Sequence, residues 1–164
     1  MFFPVSILRR LSQTVSFGLL AACFAGTTAL TAYAALGGDI ASVQADQVHM
    51  RGSMRTSKAT GYSVQEIQGA QGLLVREYVS NAGKVFGVAW QGPWPPDFRQ
   101  LLGGYFDQYV QAIKAQRTAR IGRRPVLIDQ PGLVIEVGGH PRSFFGHAYV
   151  PGMLPEGVHA EDIQ

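Results

Sequence analysis

Leu73-Leu-Val-Arg-Glu-Tyr-Val79 and Val85-Phe-Gly-Val-Ala-Trp90 are two runs of β-branched and aromatic residues on either side of Ser80-Asn-Ala-Gly-Lys84. Strand-forming runs flanking a short turn with Asn and Gly specify an antiparallel hairpin. Simple alternation places Phe86, Val88 and Trp90 on one face of the second strand. Val85, Gly87 and Ala89 take the other face, small enough to admit a helix at close range. Gln91-Gly-Pro-Trp-Pro-Pro96 then excludes both helix and inner strand, because proline lacks the amide hydrogen that either needs.

Asp97 follows as a helix cap, its carboxylate suited to accept unpaired backbone N–H groups. Phe98, Leu101, Leu102, Tyr105, Phe106, Tyr109, Val110 and Ile113 recur at helical spacing, with Arg99, Gln100, Asp107, Gln108, Gln111 and Lys114 opposite. The pattern predicts one amphipathic helix of about five turns packed on a sheet by its aromatic stripe. Gly103-Gly104 inside it costs up to about 2 kcal/mol of helix propensity, so packing must compensate. Lys114, Arg117, Arg120, Arg123 and Arg124 crowd its end, where positive charge complements the helix dipole. Val126 to Asp129 and Leu133 to Val137, around Gln130-Pro-Gly132, predict a second hairpin; Gly138-Gly-His-Pro141 leads into a last strand, Ser143 to Val150. With a weaker strand at Tyr62 to Ile67, the predicted class is α+β: an antiparallel sheet of five to six strands with one long helix on one face.

Ahead of this domain the chain carries no charge from Leu11 to Gly38 and has Arg9-Arg10 before that run. Its most apolar stretch, Phe17 to Ala25, precedes Ala32-Tyr-Ala34, small residues spaced as a signal peptidase requires. Residues 1–34 read as a secretory signal peptide cut before Ala35. Two alternatives stay open: Leu20-Ala-Ala-Cys23 has the form of a lipobox, making Cys23 a lipidation site, or the run is retained as a membrane anchor. Each reading puts the domain outside the cytoplasm, in the periplasm or cell envelope, and in contact with the membrane only through an uncleaved leader or a lipidated Cys23. Residues 35–60 are polar and without period and are expected to form an extended linker, with one short strand near Val48 to Met50. Residues 61–154 are the expected single domain, and 155–164 a tail along the surface.

Several segments together, Ala35-Leu-Gly-Gly38, Arg76-Glu-Tyr-Val-Ser80, Gly83 to Pro93, Pro96 to Gly103, Gly138-Gly-His140 and Phe144 to Pro151, resemble a family of uncharacterised proteobacterial exported proteins catalogued as domain of unknown function 2844. The resemblance spans nearly the whole mature chain. It implies export, a single domain and cleavage before Ala35, and it assigns no activity and no catalytic residue.

The composition excludes several chemistries. Without Arg9 and Arg10, 12 basic residues face 11 acidic ones, too balanced for a nucleic-acid partner. A single cysteine excludes an internal disulfide framework and a cysteine-built zinc site. The four histidines lack the spacing of a metal motif, and no cofactor fingerprint is present, so neither metal nor cofactor is expected. His140 and His147, seven apart, fall on opposite faces if one strand holds both. A cluster of His140, Arg142, His147 and Glu136 would form where the last two strands meet, able to bind an anion or move a proton near neutral pH. Arg76 and Glu77 point to opposite faces of their strand and read as cross-strand partners. Trp90 reads as core, and Trp94, among prolines, as an exposed platform for a sugar or peptide. The leading functional expectation is a non-enzymatic envelope binding or accessory module, its partner or ligand unidentified. The alternative is a small periplasmic enzyme using the His140, Arg142 and His147 region.

Overall fold

Two antiparallel meanders, joined along their inner strands, make a single seven-stranded sheet of order β1-β2-β3-β4-β7-β6-β5. The computed structural model describes residues 36–117 and 125–164, which include α1 (Ile40–His49), β1 (Ser53–Ala59), β2 (Tyr62–Gln68), β3 (Leu74–Ser80) and β4 (Val85–Gly92). A helical stretch then crosses over, as α2 (Phe98–Leu102), a 3-10 turn (Gly103–Tyr105) and α3 (Phe106–Arg117). β5 (Val126–Gln130), β6 (Leu133–His140) and β7 (Ser143–Tyr149) return to pair against β4, and two short 3-10 turns follow at Pro151–Met153 and Ala160–Asp162. The α+β class and the antiparallel sheet with helix on one face are as expected. The sheet has one strand more, and the expected signal segment 1–34, with Cys23, lies outside the described residues.

The extra strand and α1 occupy the span expected as a linker. Asp39 caps α1 by accepting from the backbone N–H groups of Ala41 (3.0 Å) and Ser42 (3.1 Å). Its inward residues are Ser42, Val43 and Asp46, so polar side chains interrupt the stripe that would betray a helix. A Schellman motif closes the helix, with Arg51 N–H donating to Val48 and Gly52 N–H to Gln47, and with Arg51 in the left-handed position (φ 48°) usually held by glycine. β1, Ser-Met-Arg-Thr-Ser-Lys-Ala, is a solvent-facing edge strand with no apolar alternation to reveal it, paired residue for residue with β2.

The predicted hairpin forms as β3 and β4, but a bulge between Tyr78 and Val79 shifts the register and re-phases β4. Val85, Val88 and Trp90 therefore face the helices, while Phe86 turns to the opposite face beside Ala89. This corrects the alternation that grouped Phe86 with Val88 and Trp90. The predicted long helix is also interrupted: Gly103 takes φ 48° and ψ −119°, and the chain passes through a 3-10 turn before α3 resumes. The aromatic stripe still packs on the sheet, with Leu101, Leu102 and Ala112 buried and Phe98, Tyr105, Phe106, Tyr109 and Ile113 around them.

The second sheet face has a cover of its own. Val158 and Ile163 are buried against Tyr78, Phe86 and Ala89, and the Tyr78 hydroxyl donates to the Gln164 carbonyl (2.8 Å). The segment 155–164 is thus part of the core and not a surface tail. Gly87 is small for the sake of Ile163, not of a helix: a Cβ there would stand 2.8 Å from the Ile163 Cδ1.

Candidate functional site

A cleft of about 420 Å³ opens between the end of α1, the β2–β3 turn and the proline-rich segment leading into α2. Asp46, His49 and Arg51 line one wall, Gly69, Ala70, Gln71 and Leu73 the second, and Trp94 to Asp97 with Gln100 the third. Trp94 holds its position because Pro93, Pro95 and Pro96 fix φ on both sides of it, and its indole is 59 % exposed. Asp97 is occupied as the cap of α2, accepting from Arg99 N–H (2.9 Å) and Gln100 N–H (3.2 Å).

Beneath the cleft lies a buried polar cluster. Asp46, 2 % exposed, accepts a hydrogen bond from the Gln100 side-chain amide. Burial pushes its carboxyl up to about 6, with the charge of Asp97 acting in the same direction. Glu77 on β3 is fully buried directly below. Burial, followed by the neighbouring Asp46 carboxyl, raises Glu77 well above the ordinary carboxylate range. Neither Glu77 carboxyl oxygen has a hydrogen-bond partner among the described residues. Gln65, cross-strand from Glu77, turns its amide to Ser63 and Thr56 instead.

Of the binding candidates Trp94, His140, Arg142 and His147, Trp94 stands in this cleft. The others lie elsewhere and are not drawn into one constellation. His140 and Ser143 pair across a hairpin with Pro141 and Arg142 at its tip, so His140 and His147 are on successive strands and the single-strand parity argument does not apply to them. Three rungs of the β6–β7 ladder lie between them, and the Phe145 ring lies over Gly138 on the middle one. His147 sits opposite Glu136 and stacks on Tyr149 with ring centroids 6.4 Å apart. His140 and Arg142 are exposed, the His140 Nδ1 within 3.1 Å of the Pro141 carbonyl oxygen. Arg76 and Glu77 do face opposite ways: Arg76 pairs with Glu66 (3.0 Å), which also holds Arg55 (2.9 Å), while Glu77 makes no ion pair among the described residues. Among the described residues no group of three or more His, Cys, Asp or Glu could hold a metal ion, and no helix is long and apolar enough to cross a membrane.

In the sequence Glu77 reads as a cross-strand partner and Gln100 as part of the helix's polar face, and neither they nor Asp46 and His49 are marked there as site residues. One signal was available for Glu77, which shares its strand parity with Val75 and Val79 and so belongs to the inward face. Asp46 carried none, lying in a helix without an apolar period.

No curated protein and no solved structure matches this chain. A family model described as "Protein of unknown function (DUF2844)" matches residues 32–163, four-fifths of the sequence and every element described above. The chain belongs to that family.

Proposed function

We propose that this is an exported envelope binding module whose ligand, a saccharide, is taken up in the Trp94 cleft. The observation that carries the reading is an exposed indole at the mouth of a cleft with polar groups at its floor. A sugar ring has a face of C–H groups that packs on an aromatic plane and a rim of hydroxyls that need partners. Trp94 supplies the plane, and Gln100, Asp97, His49 and Arg51 supply donors and acceptors around it. Export is supported by the signal pattern ahead of Ala35. Catalysis by His140, Arg142 and His147 is not favoured, since three rungs of the ladder lie between His140 and His147.

Expressed with its leader in a bacterial host, the chain is expected in the periplasmic fraction, with an intact mass that begins at Ala35. Titrated with neutral and N-acetylated oligosaccharides, it should show quenching of indole fluorescence, and Trp94→Ala should weaken binding about tenfold or more, near 1.4 kcal/mol. A mass starting at an acylated Cys23 would place the domain on a membrane instead. Binding unchanged in Trp94→Ala would remove the cleft as the site.

A further inference from the structure

We propose that the Trp94 cleft selects saccharides that carry a negative charge, and that Arg51 is the residue that selects them. This deepens the saccharide reading given above and rests on it.

Arg51 stands where a side chain works against the fold. It closes the Schellman motif after α1 at φ 48°, in the left-handed region that glycine enters freely and a residue with a Cβ enters at a cost in stability. The side chain contributes no contact in exchange. It is exposed, and among the described residues its guanidinium makes no hydrogen bond, no ion pair and no contact with an aromatic ring. Positive charge near the end of a helix complements the dipole, but His49 already occupies the last turn of α1 and does so without backbone strain. The one place the Arg51 side chain serves is the cleft, where it shares a wall with His49. Strain kept at a residue that lines a binding cleft points to function.

The hydrogen-bonding groups of the cleft agree in sign. Its two acids are already engaged by the protein: Asp46, 2 % exposed, accepts from the Gln100 side-chain amide, and Asp97, on another wall, accepts from the backbone N–H groups of Arg99 and Gln100. The His49 ring, like the Arg51 guanidinium, has no hydrogen-bond partner among the described residues. The α1 wall therefore offers a ligand a guanidinium with five N–H donors and an imidazole beside it. A planar guanidinium matches two oxygens of a carboxylate, and equally those of a sulfate or phosphate group. A sugar ring packed on Trp94 can turn such a substituent toward that wall.

Titration of the full chain with oligogalacturonate and with its methyl ester, which has the same rings without the charge, tests the selection. The acid is expected to bind about tenfold tighter than the ester at low salt, and the difference should shrink as salt is added. A sulfated galactose oligomer beside its unsulfated form shows which anion the site prefers, and a preference for either charged form upholds the proposal. Arg51→Gly supplies the residue this backbone favours, so the domain should be at least as stable while charged and uncharged forms come within about twofold of each other. Arg51→Asn, a residue also tolerated in the left-handed region, serves if the glycine variant does not fold. Trp94→Ala should weaken charged and uncharged sugars alike. Equal affinities for the charged and uncharged forms of both sugars, or a preference that survives Arg51→Gly, overturn the proposal and leave the cleft as a saccharide site. Binding of none of the four overturns both.

Discussion

Trp90 shows how far one residue's environment can depend on another's lack of a side chain. Its indole packs edge-on to Phe98, ring centroids 5.3 Å apart, and rests over Gly146 of the neighbouring strand. A Cβ on Gly146 would collide with both the indole and the Glu136 carbonyl, and neither can move without disturbing the sheet. Gly146→Ala is therefore expected to destabilise the domain on the order of 3 kcal/mol, lowering its thermal midpoint by roughly 10 °C. A chemical denaturation midpoint within error of the unsubstituted chain would contradict this packing. Trp90 as core and Trp94 as exposed were both legible in the sequence, one from strand parity and the other from its prolines. Glu77 and Asp46 were harder, because a buried acid is recognised from what surrounds it in three dimensions. Their energetic sign is fixed by their environment. Both hold a proton more tightly folded than unfolded, so what these two groups contribute to stability is greatest below the ordinary carboxylate pKa of about 4. It then declines as pH rises toward about 6 for Asp46, and beyond that for Glu77.

At the scale of elements, strong local chemistry was readable and compensated irregularity was not. The β3–β4 hairpin, the Asp97 cap and the Pro131-Gly132 turn between β5 and β6 follow from residues within a few positions of each other. The bulge that turns Phe86 to the second face depends on the C-terminal segment waiting there, which no window of β4 contains. α1 and β1 have too few apolar residues to show a period; one is held by buried polar contacts and the other by its ladder to β2. The helical crossover contains two adjacent glycines with different roles. Gly103 combines φ 48° with ψ −119°, a backbone conformation nearly confined to glycine, which a side chain adopts at a cost of roughly 1–3 kcal/mol. Gly104 is in ordinary helical space, and a Cβ there would meet nothing within 4 Å. Gly103→Ala should thus destabilise by about 1 kcal/mol or more, while Gly104→Ala should stabilise by up to about 1 kcal/mol through higher helix propensity. Urea titration of the two variants distinguishes them, and equal shifts of the same sign would argue that the helix runs straight through.

For the whole molecule, the informative feature is that the sheet carries a separate apolar cluster on each side. The larger one, under the helices, was expected from the aromatic stripe. The smaller one was missed because its lid is a short segment of Pro, Gly and acidic residues in which only Val158 and Ile163 turn inward. Ile163 fills the space above Gly87 and is 1 % exposed, although it lies 76 positions along the chain from that glycine. Ile163→Ala should cost about 2–4 kcal/mol, since the truncated side chain leaves a void over Gly87 that the strand backbone cannot close. The Trp94 cleft lies on the helix side and shares no lining residue with this cluster. The same substitution should therefore lower the denaturation midpoint while leaving oligosaccharide affinity at low temperature within about twofold, as expected for sites without shared partners. A parallel loss of affinity in the folded variant would mean that the two faces of the sheet are coupled, and that the C-terminal segment helps to set the cleft as well as the fold.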